Sequence, residues 1–454
     1  MDSVSTNLEP LDAARRSAVL ERRGCRIRWQ GFTRQPLGQS SARIPSDIAA
    51  NCPTLLLKLA NCLLAGTVLL TLNALATAVQ AAPFKPRTDA EVLEVLPARA
   101  TDPRMRELRR LRSELAARPT DMPTAVQLAR AYYSEVAAEG DPRYIGYAQA
   151  ALAPWWALPA PPMPVRVMRA MLLQFSHHFD AAVADLAAVT EQDPDQGEAW
   201  AWQTAIHLVR ADYAKARHSC AEMARLATPL IAAGCAAQID SLTGKASAAA
   251  AALRQALARD PNAKAAEQLW VLTRLGEIEA RLGQFAAAEA AFRRALSLDI
   301  TDGYLLAAYA DFLLDQGRPA EVLPLLNDRE RSDLLLLRLA LAAKALNSPA
   351  LAAWQAELTA RFDAARLRGD TVHEKEEARF ILGLLGPTHA ARALELAQQN
   401  YAVQREPADA RVLLEAALAA GQPTAAAPVL AWMKSSGIES QRLQSLAQKL
   451  TGQP

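Results

Sequence analysis

The sequence predicts an all-α fold, a right-handed superhelical solenoid of antiparallel helix hairpins, and three observations carry that expectation. Phe179 and Tyr213 lie 34 residues apart and open the same small-residue pattern, Phe179-x-x-Ala182-x-x-x-Leu186 and Tyr213-x-x-Ala216-x-x-x-Cys220. That interval is the length of one helix-turn-helix repeat. Two further segments, beginning Gly317-Arg318-Pro319 and Gly421-Gln422-Pro423, repeat a helix stop followed at once by a helix start, 104 residues apart. The composition allows a large core, since 51% of the 454 residues are hydrophobic and 22% charged. A single hairpin cannot bury its apolar face alone, so such units stack, and the array grows along one axis without dividing into compact domains.

Taken in order, residues 1–53 are polar and arginine-rich without regular period and read as a disordered extension. Residues 54–81 read as a signal peptide or signal-anchor helix. Leu59 to Val79 carries no charge over 21 residues, long enough to span a bilayer, and Lys58 with the upstream arginines marks its cytoplasmic side. Val79-Gln80-Ala81 places small residues where a signal peptidase accepts them, so cleavage after Ala81 and retention as an anchor are the two outcomes. Both put the remainder outside the cytoplasmic membrane, in the periplasm or beyond. A signal segment normally opens a chain, which points to a true start near Leu55. Residues 82–102, with Pro83, Pro86 and Pro97, read as a linker.

The solenoid is expected over 103–450. Met105, Leu108, Leu111 and Leu115 form the apolar stripe of a lead helix stopped by Pro119. A hairpin follows, from Ala125 to Tyr133 and from Tyr144 to Trp155, with an enlarged loop at Ala137 to Pro142, and prolines from Pro154 to Pro164 then break the chain. Leu275, Gly276, Gly283, Phe285, Ala288, Phe292 and Ala295 follow in the next clear unit. This unit resembles the tetratricopeptide repeat, whose first helix carries a large residue and a small one and whose second carries an aromatic, an Ala, a large residue and an Ala. Partial matches run through Trp200 to Met223, Ala249 to Pro261 and Phe179 to Pro194. Helices at Leu334–Leu346, Ala350–Leu367, Glu376–Leu385 and Thr388–Tyr401 continue with weaker signatures, and Glu439–Leu450 closes the row. At a period of about 34 residues, roughly eight to ten hairpins fit.

Chemistry is sparse in the sequence. Six histidines form no His-Glu-x-x-His spacing, and His177-His178-x-Asp180 is a poor geometry for a closed metal site. No glycine-rich phosphate loop, nucleophile elbow or Cys-x-x-Cys is present. The expectation is therefore no catalytic residue, no metal and no cofactor. Beyond residue 81 the chain holds 41 basic and 43 acidic residues, a near-neutral body that argues against nucleic acid as a partner. Cys220 and Cys235, 15 residues apart, either pair in an oxidising compartment or stay as two buried thiols.

The resemblance to tetratricopeptide repeats implies a concave face built by first helices and a protein or peptide partner taken there. Carried onto this sequence, the contact set includes Arg130, Tyr133, Phe175, Trp270, Glu277, Arg281, Tyr304 and Asp311. Aromatic and arginine side chains are the common anchors of interfaces. The expected function is a non-catalytic protein–protein interaction scaffold in the bacterial envelope. The alternative is a periplasmic accessory protein that binds a small ligand or glycan between Trp155, Trp156, Trp200 and Trp202.

Overall fold

The computed structural model describes residues 102–452. The expected extension, signal or anchor segment and linker lie outside the described residues. Among the described residues every regular element is helical. A lead helix, α1 (Pro103–Ala117), starts at the Asp102 cap, whose carboxylate accepts from the Arg104 amide. Hairpins follow as α2 (Met122–Glu139) with α3 (Arg143–Ala151), and, after the short α4 (Ala153–Trp156), as α5 (Met163–Phe175) with α6 (Phe179–Gln192). Next come α7 (Gly197–Val209) with α8 (Tyr213–Ala224), α9 (Pro229–Ser241) with α10 (Ala246–Arg259), and α11 (Ala265–Arg281) with α12 (Phe285–Leu296). The row continues as α13 (Gly303–Asp315) with α14 (Pro319–Leu325), α15 (Asp333–Ala345) with α16 (Leu351–Leu367), and α17 (Glu374–Phe380) with α18 (Ala390–Val403). It ends with α19 (Pro407–Ala419) and α20 (Ala427–Ser436), and α21 (Gln441–Thr451) packs on α19.

The first hairpin departs from the sequence expectation. The predicted loop from Ala137 does not form, because α2 runs on to Glu139 and stops only where Gly140 takes φ 70°. The second helix, expected from Tyr144 to Trp155, stops at Ala151 and restarts as α4, whereas the two Gly-x-Pro boundaries fall where the sequence places them. Gly317 (φ 67°) and Gly421 (φ 64°) leave their helices in the left-handed conformation, and Pro319 and Pro423 follow where an amide hydrogen has no intrahelical partner.

Small next to large is the packing rule within the hairpins. A Cβ placed on Gly276 of α11 would lie 2.7 Å from the Phe292 ring of α12, so the helix crossing there requires a hydrogen in place of a side chain. Ala182, Ala216, Ala288 and Ala295 are fully buried at the equivalent close approaches.

The array also returns on itself. The tips of its middle hairpins carry residues with positive φ, at His177, Ala211, Gly244 and Gly283, and those tips are packed by the last fifth of the described chain. Gln404 Nε2 meets His177 Nε2 at 2.9 Å, the Arg405 amide donates to the Val209 carbonyl at 2.7 Å, and Trp432 Nε1 donates to the Tyr213 hydroxyl at 2.9 Å. Gly244 and Gly437 approach backbone to backbone, where a Cβ on Gly244 would stand 3.2 Å from the Gly437 carbonyl oxygen. Gln441 Nε2 donates to the Leu282 carbonyl at 3.1 Å. One apolar cluster makes the same join, running from Cys220, Cys235 and Ile239 to Leu413, Trp432, Ile438 and Leu446. Residues about two hundred positions apart in sequence thus share a core, and the inner sides of α9, α11, α13, α17, α19 and α21 enclose a common space.

Candidate functional site

That space is a cavity of about 520 Å³. Its floor is apolar, with Leu242, Ile278, Phe292, Phe312 and Leu443 buried, while Phe285 at the start of α12 stays 44% exposed. Its walls are charged. From α11 come Arg274, Glu277 and Arg281, one helical turn apart, so all three point the same way. From α13 come Tyr304, Asp311 and Asp315, and from the returning helices come Arg379, Glu406, Arg411 and Arg442.

Most of these charges neutralise one another. Asp311 receives both terminal nitrogens of Arg379, at 3.1 and 2.8 Å, and Nη2 of Arg338 at 2.6 Å. Burial alone would push the Asp311 carboxyl up, but the two guanidiniums outweigh it and hold it far below the usual carboxylate range. Asp315 is gripped by Arg411 with two bonds of 2.7 Å, and Arg411 reaches Glu415 at 2.8 Å. The Tyr304 hydroxyl donates to Glu277 at 2.6 Å and accepts from Arg274 at 2.6 Å, and the Arg274 guanidinium lies 4.3 Å from the centre of the Tyr304 ring.

Two groups are not matched in this way. Arg281 donates from Nη2 to Ser241 Oγ at 2.8 Å, yet its buried Nε has no hydrogen-bond partner, and among the described residues no carboxylate forms an ion pair with it. Burial pulls its guanidinium below the usual range. Glu406, the residue before α19, also forms no ion pair among the described residues, and burial followed by the neighbouring Asp409 carboxylate pushes its carboxyl up. Asp409 itself is spoken for by Lys375 Nζ at 3.1 Å, Asn400 Nδ2 at 3.0 Å and the Glu406 amide at 2.9 Å.

Of the residues singled out in the sequence, Glu277, Arg281, Tyr304 and Asp311 are brought together around this cavity. Trp270 stands behind it, its ring against Gly234 where a Cβ would come within 2.3 Å, so it fills the space between α9 and α11. Arg130, Tyr133 and Phe175 belong to the earlier hairpins. Arg130 makes a two-pronged pair with Glu198 of α7, both bonds 2.6 Å, with the partners 40% and 43% exposed. The Tyr133 hydroxyl accepts from Gln174 at 3.0 Å, its ring meets Trp202 edge-on, and burial pushes it up to about 12. Phe175 ends α5 half-buried.

The four tryptophans of the alternative reading are occupied by packing. Trp155 and Trp156 rest on the core of the first hairpins, Trp200 donates to the Pro194 carbonyl and stands edge-on to His218, and Trp202 packs on Tyr133. The histidine pair does not converge on one point, since His177 faces Gln404 while Asp180 pairs with Arg210 at 2.7 Å. Among the described residues no group of His, Cys, Asp or Glu is arranged to hold a metal ion. The sulfurs of Cys220 on α8 and Cys235 on α9 are in bonding contact, with Cα atoms 6.1 Å apart, inside the range a disulfide spans.

Sequence reasoning missed Arg274, on α11 itself, and Arg379, Glu406, Arg411 and Arg442. The last four lie on or at the start of helices with weak repeat signatures, and nothing local in the sequence marks that those helices return to α11 and α13.

Fold and site together define a helical-repeat protein, a solenoid of stacked hairpins whose first helices look inward. A family model described as tetratricopeptide repeat matches residues 271–299, which cover most of α11 and α12. Among solved structures the chain is similar to the tetratricopeptide-repeat domain of P58(IPK), with 12% identity over 78% of this chain and 94% of that one, at a TM-score of 0.19 that carries no weight for fold or function. No curated protein matches the sequence.

Proposed function

We propose that this chain is a non-catalytic protein-binding scaffold that works outside the cytoplasmic membrane and takes a protein or peptide partner on its inner face. The observation that carries the reading is the stacking of successive hairpins with their first helices side by side. This leaves exposed anchor residues on first helices, among them Arg130 on α2, 40% exposed, and Tyr304 on α13, 45% exposed. Large exposed aromatics and arginines on a rigid helical surface suit peptide or protein recognition. The uncharged stretch from Leu59 to Val79 and the cysteine pair support a location in the periplasm or beyond. Nucleic acid is not part of the reading, and the membrane enters it only through the N-terminal segment.

The packing narrows the contact set. Trp270 fills the space between α9 and α11 and Asp311 is held by two guanidiniums; Arg130 and Tyr304 are also paired, with Glu198 and with Glu277 and Arg274, but stay 40% and 45% exposed, so they and the rim around Glu277 are the positions expected to touch a partner. A photo-crosslinking amino acid at Arg130 or Tyr304 of the full chain, expressed in its own cells, is expected to capture a discrete partner, while one at Glu191 on the outer helix α6 is not. Capture from Glu191 alone would remove the inner face from the proposal.

A further inference from the structure

The charge balance of the central cavity points to a second kind of ligand. Of the guanidiniums that line it, Arg379 and Arg411 are each held by a carboxylate through two bonds, and Arg274 is shared between Glu277 and Tyr304. Arg281 is the exception. Ser241 fixes it, because that hydroxyl accepts from Nη2 and donates to the Gln238 carbonyl, yet among the described residues no carboxylate forms an ion pair with it, and its Nε, like that of Arg274, stays buried without an acceptor. A buried donor left in this state carries a desolvation cost that an acceptor from outside would relieve. Beside it lies an apolar surface of Phe285, Phe312 and Leu443, and the volume is that of a small-molecule site.

We infer that the cavity binds a small organic acid, whose carboxylate is taken by Arg281 and whose apolar body lies against Phe285, Phe312 and Leu443. The inference goes beyond the scaffold reading and stands or falls separately from it. The lining carries five guanidiniums, of Arg274, Arg281, Arg379, Arg411 and Arg442, against the four carboxylates of Glu277, Asp311, Asp315 and Glu406, which favours an anion. The floor selects against a bare inorganic anion, which would leave the aromatic surface wet.

Calorimetric titration of the full chain with sodium decanoate, decanamide, inorganic phosphate and acetyl-Leu-Phe with a free carboxyl end tests this directly. Decanoate is expected to bind at one site per chain, with decanamide and phosphate at least tenfold weaker. Arg281→Gln is expected to weaken decanoate at least tenfold. Ala408→Trp, at an exposed position on the cavity wall, is expected to abolish binding by occupying the space while leaving Arg281 in place, and circular dichroism of both variants checks that they fold. Decanoate that fails to bind, binds equally to both folded variants, or binds no better than decanamide or phosphate overturns the inference. So does binding of acetyl-Leu-Phe without decanoate, which would assign the cavity to a peptide end and leave the scaffold proposal untouched.

Discussion

Gly276 shows how a single residue sets the geometry of a hairpin. Its missing side chain lets the Phe292 ring sit where a Cβ would come within 2.7 Å, and both residues are buried. Gly276→Val is therefore expected to cost about 2–3 kcal/mol through overpacking. The midpoint of denaturant unfolding reads this, and Phe292→Leu in the same chain should return part of the loss. His177 is a second case, where a titratable ring sits at a junction. Burial, reinforced by the Lys375 ammonium, pulls it down to about 4, against the opposing pull of Asp409 and Glu376. The unfolded ring titrates near 6.5, so between about pH 6.5 and 4 the unfolded chain takes up a proton that the folded chain refuses. Stability is then whole above 6.5, falls as the pH drops towards 4, and loses on the order of 3 kcal/mol at most. His177→Asn, which tolerates the φ of 59° and keeps a polar partner for Gln404, should flatten that slope in thermal melts taken across the interval.

At the scale of elements, ion pairs join helices distant in sequence, and their burial decides their worth. Asp311 on α13 holds Arg338 of α15 and Arg379 of α17, whose side chains are only 6% and 16% exposed. Asp311→Asn leaves two largely buried guanidiniums unanswered and is expected to cost about 3 kcal/mol. Asp315→Asn is the contrast. Arg411 retains Glu415 and the pair is more exposed, so the loss there should stay under about 1 kcal/mol. Chemical denaturation of the two variants side by side makes the comparison, and equal losses would show that burial is not what separates them. Elements were also the level at which the sequence was most legible. The period of 34 residues, the Gly-x-Pro boundaries and the Leu275-to-Ala295 signature all became hairpins, because each depends on contacts within a repeat or with its neighbour. The α2 boundary was misjudged because the small residues Ala137 and Ala138 look like loop yet are good helix formers, and the real stop is Gly140.

For the whole molecule, the join between its middle and its end was not legible. Contacts such as Tyr213 with Trp432 and Leu282 with Gln441 have no period and no local signal, so the candidate set held four of the cavity residues and missed those supplied by the returning helices. The join also makes stability less local than in an open row of repeats, where each unit depends only on its neighbours. Removing residues 427–454 is expected to speed amide hydrogen exchange in α8 and α9 at least tenfold, because Cys235 and Ile239 share their core with Trp432, Ile438 and Leu446. Exchange in α1 to α3, whose core is a separate cluster, should change little. A uniform rise along the chain, or none in α8 and α9, would contradict this.

The returning end also sets an order in time. A chain emerging residue by residue forms its hairpins as they appear, but the tips at His177, Ala211 and Gly244 wait for partners synthesised some two hundred residues later. Until those arrive the apolar residues that the last helices cover stay uncovered, so chaperones or proteases are expected to find the chain most vulnerable just before its last helices are delivered.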